Sequence, residues 1–226
     1  MIMTKYFFIT GTDTGIGKTL AACSLLQAAA LLGYRVVGYK PVASGSQITP
    51  EGIRNRDALA LMDNSNVDLK YNQVSPFSFI KETSPNIASY NEGNLIDLNI
   101  LSKGLRALGA LANYVVIEGA GGWFTPLGKN ILYSDWVAVE KLPVILVVGI
   151  KLGCINHALL TEAAVRQSGL CLVGWVANHL TESNALAQDY IQEIRFRLHP
   201  PLLGIIPWMN ILKQNSLSKY INLSIL

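Results

Sequence analysis

Ile9-Thr10-Gly11-Thr12-Asp13-Thr14-Gly15-Ile16-Gly17-Lys18-Thr19 follows the apolar run Tyr6-Phe7-Phe8 and opens into the helix-forming segment Leu20-Ala21-Ala22-Cys23-Ser24-Leu25-Leu26. Strand, glycine-rich turn and helix, with Gly-Lys-Thr closing the turn, is the physical arrangement that holds a nucleoside triphosphate. The glycines let backbone N–H groups converge on phosphate oxygens, Lys18 reaches the terminal phosphates, and the Thr19 hydroxyl is placed for Mg²⁺. The helix behind the turn adds the positive end of its dipole. The spacing is irregular. The common pattern leaves four residues between its first glycine and Gly-Lys-Thr, which puts Thr12 where a glycine belongs. Here Thr12 through Ile16 separate Gly11 from Gly17, so the loop is longer or closes differently. A dinucleotide fingerprint starting at Gly15 would need a third glycine where Leu20 stands, and so loses its close helix–strand packing.

Apolar, β-branched runs recur at residues 6–9, 35–39, 114–117, 144–148, 172–177 and 202–206, with helix-like segments between them. Several lack polar alternation. Continuous apolar strands alternating with helices predict a mostly parallel sheet covered on both faces, a three-layer α/β fold of the phosphate-loop nucleotidase type. Residues 183–198 carry the helical period, with Leu186, Tyr190, Ile191, Ile194 and Leu198 on one face. Residues 63–94, rich in Asn, Ser and Pro, read as surface excursions with short helices. Residues 210–226 end in the apolar Tyr220-Ile221-Asn222-Leu223 and read as a tail that docks back.

A chain of 226 residues is long enough for one domain, 1–226, with a full core. Half of it is hydrophobic and only 15% is charged; the net charge of +3, with no Lys/Arg block, argues against nucleic acid. Cys23, Cys154 and Cys171 are odd in number and far apart, which suits a reducing compartment. The early apolar run is too short for a signal peptide, and the longest one, 142–150, contains Pro143 and is well short of a membrane span. A cytoplasmic protein without a membrane partner is the expectation.

In an open parallel sheet, ligands bind beyond the carboxyl ends of the strands. Those positions are chemically loaded: Lys40 to Gly45, Glu118 to Gly122, Lys151 to Asn156, Asn178, and Pro207-Trp208. Lys40 and Lys151 share the rim with the phosphate loop, where a lysine stabilises charge that develops during phosphoryl transfer. Glu118 ends its strand where a carboxylate can hold Mg²⁺. Asp57, in a polar helical stretch, reads by spacing alone as a solvated carboxylate. His157, His179 and His199 show no metal-ligand spacing with the cysteines.

These residues resemble the dethiobiotin synthetase family. The matching blocks are G-T-D-T-G-I-G-K-T, G-Y-K-P-V-A-S-G, E-G-A-G-G-W-F-T-P, P-V-I-L-V-V-G-I-K-L-G-C-I-N-H-A, G-W-V-A-N, P-L-L-G-I-I-P-W and K-Y-I-N-L, which span nearly the whole chain. The lengthened phosphate loop is normal in that family. The resemblance implies an ATP- and Mg²⁺-dependent ligase acting on 7,8-diaminononanoate and CO₂. One amine captures CO₂ as a carbamate, the γ-phosphoryl group moves to the carbamate oxygen, and the second amine closes the ureido ring, expelling phosphate.

The resemblance further implies roles by position. Asp13, Thr14, Gly15, Ile16, Gly17, Lys18 and Thr19 hold the ATP phosphates, and Glu118, Gly119, Ala120 and Gly121 line the same site. Thr19, Asp57 and Glu118 hold Mg²⁺; Lys40 and Lys18 are the catalytic lysines; Ser44 touches substrate. Asn178 reads the adenine edge, with His179, Pro207, Trp208 and Met209 around it. Lys151, Gly153, Cys154, Ile155 and Asn156 form the turn that meets the diamine's carboxylate tail, and Tyr190 comes from the partner subunit of a homodimer. Gly15 and His179 stand where family members often carry an acid, and Gln214 falls in the nucleotide-proximal tail without an assigned role.

Three other readings compete. A partition-type ATPase would carry lysine where Asp13 stands, and a GTPase would carry Asn-Lys-x-Asp where Asn178-His179-Leu180-Thr181 stands. A related synthetase acting on another substrate would share the phosphate chemistry, and would differ only in the substrate turn and dimer contacts.

Overall fold

The computed structural model describes residues 3–183, 185–209 and 216–226; Gln214 lies outside them. The central sheet comprises β1 (Lys5–Gly11), β2 (Val36–Tyr39), β3 (Tyr114–Glu118), β4 (Val144–Ile150), β5 (Leu172–His179) and β6 (Leu202–Ile206). Its order is β6-β5-β4-β1-β3-β2 and every neighbouring pair is parallel. Each expected apolar run is one of these strands. They lack polar alternation because both faces are covered: β2, β3 and β4 are buried along their whole lengths.

The pleat sends alternate side chains into different layers. Phe7 and Ile9 pack with Leu25, Leu26 and Leu61 from helices α1 (Lys18–Leu31) and α2 (Arg56–Asp63). Phe8, between them, packs with Leu101, Leu105 and Leu108 of α3 (Leu98–Leu111). Leu146 and Val148 meet Ala158 of α4 (Cys154–Gln167) and Ile191 and Ile194 of α5 (Ala187–Arg197). The tail docks beside α1. Leu217 and Ser218 donate backbone N–H bonds to Gln27 Oε1 at 2.7 and 3.3 Å, and the Asn222 N–H reaches the Leu203 carbonyl at 2.8 Å.

Two expectations are revised. The helix expected from residue 183 begins at Ala187, and Leu186, placed on its apolar face, precedes it and is exposed. The Thr181 hydroxyl instead bonds the Ser183 carbonyl, a local turn that competes with helix. The 63–94 excursion does contain short helices, Tyr71–Val74 and Pro85–Asn91, but is pinned more firmly than its composition suggests. Phe77–Ser78 pairs in parallel with Val42–Ala43, and Phe77 and Phe79 are buried. That ladder brings the chain around Glu82 against the segment that follows β2.

Candidate active site

Gly11 is the last residue of β1, in register with Val147, and not part of the turn. A Cβ there would lie 2.7 Å from Ile16 Cδ1, so the glycine makes room for the buried Ile16 side chain beneath the loop. The loop proper runs from Thr12 to Gly17. Gly17 caps α1 with φ 91°, a conformation that favours glycine, and a Cβ on it would meet the Asn178 amide nitrogen at 2.2 Å. Asn178 is buried; its Nδ2 donates to the Ile16 carbonyl at 2.9 Å, and its Oδ1 is buried without a hydrogen-bond partner among the described residues. The end of β5 is thus fastened to the underside of the phosphate loop.

Lys18 and Lys40 converge on the mouth of this loop, and both are buried. Lys18 Nζ donates to the Asp13 carbonyl at 2.8 Å. Burial, then repulsion from Lys40, pushes the Lys18 ammonium down to about 8. Lys40 Nζ lies 2.6 Å from Glu118 Oε1, 3.0 Å from Asp57 Oδ2 and 3.1 Å from the Gly119 carbonyl. Burial alone would lower Lys40, but the two carboxylates outweigh it and hold the ammonium above its ordinary range. Burial would likewise raise Asp57, yet Lys40 holds it below the usual carboxylate range. The Thr19 hydroxyl donates to Glu118 Oε1 at 2.9 Å, and Glu118 Oε2 is buried without a hydrogen-bond partner among the described residues. Asp57 is therefore no solvated helix-surface acid, as its spacing alone suggested. It is brought to the strand end by α2.

Asn55 explains how, and sequence reasoning missed it. Its Oδ1 caps α2, accepting from the Asp57 N–H at 3.0 Å and the Ala58 N–H at 3.4 Å, while its Nδ2 donates to the Ser44 carbonyl at 3.1 Å. One buried side chain thus spaces the Ser44 loop from Asp57. The signal was available as an Asn immediately before an apolar-periodic segment.

A cleft of about 650 Å³ collects Thr14, Gly15, Gly17, Lys18, Thr19, Lys40, Ser44, Asp57, Glu118, Ala120, Gly121, Asn178, His179, Trp208 and Met209 from the expected set. It also takes in Gln47, Asn55, Arg56, Glu82 and Leu180, which no motif had marked. A second cavity, about 490 Å³, adjoins it through Thr14, Ser44, Glu82, Ala120 and Gly121, and adds Asp13. Lys151 touches this region through its Nζ, 3.0 Å from Asp13 Oδ2. The side chain of Ile16 points into the core, and Gly119 contributes its carbonyl to Lys40. Gly153, Cys154, Ile155, Asn156 and Tyr190 line neither cavity, nor does Pro207. Cys154 is buried like Cys23, whereas Cys171 is exposed.

Parallel-sheet order, phosphate loop and buried lysines define a phosphate-loop nucleotide-binding protein, and the chain matches the AAA domain family over residues 5–216. Among solved structures it resembles the cell-division protein MinD of Aquifex aeolicus, with a TM-score of 0.55 and 15% identity, covering 96% of this chain and 88% of that one. It also resembles the septum site-determining protein MinD of Pyrococcus horikoshii OT3, complexed with Mg-ADP, with a TM-score of 0.56 and 16% identity, covering 97% and 87%. At those identities the likeness shows the fold alone. Sequence relatives are far more similar. The ATP-dependent dethiobiotin synthetase BioD of Baumannia cicadellinicola subsp. Homalodisca coagulata is 60% identical over 222 residues, 98% of this chain and 99% of the relative. BioD 1 of Escherichia coli (strain K12) is 53% identical over 225 residues, 99% and 100% of the two chains. The chain belongs to the dethiobiotin synthetase family.

Proposed function

We propose that this protein, as a single domain, uses ATP to carboxylate 7,8-diaminononanoate and close its ureido ring, forming dethiobiotin, ADP and phosphate in biotin synthesis. The observation that carries the reading is the pair of buried lysines flanking Thr19 and Glu118 where the phosphate cleft opens into a second cavity. The near-full-length identity to named synthetases supports the choice of substrate.

The chemistry follows from what the rim holds. A neutral amine adds to CO₂ and loses a proton, giving a carbamate anion. Its oxygen attacks the γ-phosphorus of ATP, ADP leaves, and a carbamic–phosphoric anhydride forms. The second amine then attacks the carbonyl carbon, expels phosphate and closes the ring. The middle step brings two anions together, so it needs positive charge that is already in place. Lys18, held at the loop by the Asp13 carbonyl, faces the phosphates; Lys40 stands at the end of β2 beside it. Removing one such group commonly costs ~10²–10³ in rate. Backbone N–H groups at the start of α1 receive the phosphates. The buried, unpartnered Asn178 Oδ1 suits the donor amino group on the adenine edge, with Trp208 and Met209 beside it.

Thr19, Asp57 and Glu118 suit Mg²⁺, since the donors are all oxygen and Glu118 keeps a buried oxygen free. The ion would neutralise phosphate charge as it transfers. Of the remaining assignments, Ser44 lines the second cavity, and Lys151 reaches its edge only through Asp13. The turn at Gly153 to Asn156 opens α4 and is suited to a carboxylate. That turn and Tyr190 line neither cavity; the resemblance to the family supports a homodimer in which Tyr190 comes from the partner copy. Among the described residues no helix is long and apolar enough to cross a membrane, and the three cysteines are unpaired, in keeping with a cytoplasmic setting.

The test is direct. Purified protein given ATP, Mg²⁺, bicarbonate and the diamine is expected to form dethiobiotin, followed by mass. No product under those conditions would overturn the reading and favour a synthetase of another substrate.

A further inference from the structure

Asp13, Asp57, Glu82 and Glu118 are the carboxylates that line the two adjoining cavities. The lysines neutralise three of them. Lys40 pairs with Asp57 and Glu118, and Lys151 pairs with Asp13. Glu82 is exposed and forms no ion pair or hydrogen bond among the described residues. It also lies on the seam, because it borders both cavities together with Ser44. Its side chain is seated against the backbone of Gly45: a Cβ on that glycine would lie 3.2 Å from Glu82 Cγ. Gly45 in turn donates its N–H to the Lys81 carbonyl at 3.1 Å, and Ser46 donates to Phe79 at 2.9 Å. The segment bearing Glu82 is therefore tied to the loop bearing Ser44 just before the acid, at Phe79 and Lys81.

A cleft built for ATP gathers cations, as Lys18 and Lys40 do here, and an unpaired carboxylate on its edge works against the nucleotide. It suits a cationic partner. One substrate of the proposed reaction arrives with positive charge, a diamine whose amino groups are protonated in neutral water. We propose that Glu82 is a substrate-binding residue for the amino end of the diamine. Its carboxylate draws the ammonium form into the second cavity and holds the amine that is not yet reacting on the side away from Lys18 and Lys40. Because three neighbouring acids already have lysine partners, Glu82 is the carboxylate left to do this. The inference rests on the diamine-ligase reading, and deepens it by naming a residue that discriminates amine-bearing substrates from neutral ones.

The test uses the full-length enzyme with saturating ATP, Mg²⁺ and bicarbonate, comparing Glu82→Gln, Glu82→Asp and Glu82→Lys with the unsubstituted protein. A partly exposed ion pair is worth roughly two- to fivefold in affinity, so Glu82→Gln is expected to raise the diamine KM by about that factor and Glu82→Lys by more. Glu82→Asp is expected to recover part of the loss. The ATP KM stays the same or falls. Raising the ionic strength raises the diamine KM of the unsubstituted enzyme and flattens that of Glu82→Gln, because screening removes what the substitution removed. A diamine KM unchanged in both Gln and Lys variants, with the same salt dependence, overturns the inference while dethiobiotin formation still stands. An equal loss in the ATP and diamine KM values also overturns it, by showing a general loop defect. Absence of dethiobiotin from the unsubstituted enzyme overturns the underlying reading as well.

Discussion

Lys40 Nζ lies 2.6 Å from Glu118 Oε1, and both side chains are almost wholly buried. An ammonium removed from water to this extent survives only beside paired charge. Glu118 and Asp57 supply that charge from β3 and α2, so the end of β2 carries a cation whose charge is set before any ligand arrives.

Lys40→Ala is expected to abolish dethiobiotin formation while leaving ATP binding largely intact, because Lys18 and the loop N–H groups remain. The same change strands Glu118 in the interior and is expected to cost about 3–5 kcal/mol of folding stability. Turnover, ATP titration calorimetry and urea unfolding measure the three effects separately. An unchanged kcat would remove Lys40 from the chemistry.

Lys40 binds Asp57 Oδ2 and Glu118 Oε1, on the two carboxylates that a divalent cation would share. Metal and ammonium therefore oppose each other in the nucleotide-free protein, and by linkage each weakens the other's hold. Lys40→Ala is expected to bind Mn²⁺, read by electron paramagnetic resonance without nucleotide, at least ~10-fold more tightly than the parent. Adding Glu118→Gln to that variant should erase the gain. Equal affinity in the parent and Lys40→Ala would show that the ammonium does not compete.

Asn55→Ala removes the α2 cap and the bond to Ser44 at one stroke. A lost cap costs about 1 kcal/mol, so a modest drop in unfolding free energy is expected. The larger effect should fall on function, because Asp57 and Ser44 both lose their anchor. The Mg²⁺ concentration for half-maximal rate and the diamine KM are expected to rise together. Asn55→Asp keeps the capping oxygen but not the donor to Ser44, so it should restore stability without restoring the diamine KM.

The depressed Lys18 ammonium, titrating near 8, gives a pH signature. Below that value Lys18 is charged and ready for phosphate; above it the free protein holds a neutral amine. ATP, bound best by the ammonium, must then pull a proton onto the protein. Calorimetry in buffers of different ionisation enthalpy is expected to show proton uptake on ATP binding at pH 9 and much less at pH 7, with weaker affinity at the higher pH. Stability runs the opposite way: the unfolded lysine, at its ordinary value of 10.5, binds more protons than the folded one between about 8 and 10.5, so the cost of burying the Lys18 ammonium is relieved and stability rises with pH across that window. Identical proton uptake at both pH values would place the Lys18 transition elsewhere.

Much of the architecture was legible because the strands are buried on both faces. Val144 to Val148 and Val115 to Ile117 had to be apolar at every position, and that pattern is local. The strand-end rule singled out Lys40, Glu118 and Asn178, and these three line one cleft, since a parallel sheet puts all its carboxyl ends on one rim. Leu186 misled for an equally local reason: it has the helical spacing but stands at the N-cap, one residue before the helix begins, and is exposed. Asp57 looked solvated because its partner Lys40 is distant in sequence. Glu82 and Asn55 carried no motif, and their importance lies in what the fold sets beside them.

The sequence by itself determined the phosphate loop, the parallel α/β sheet and the family, because each depends on residue order within one segment or on the recurrence of such segments. Tertiary structure alone decided that Gly11 belongs to the strand and clears Ile16, that Lys40 rests between Asp57 and Glu118, and that Glu82 has no lysine partner among the described residues. Those facts depend on which side chains meet across the sheet. A buried charge is stable only with the partner that packing delivers, and no spacing along the chain specifies that partner.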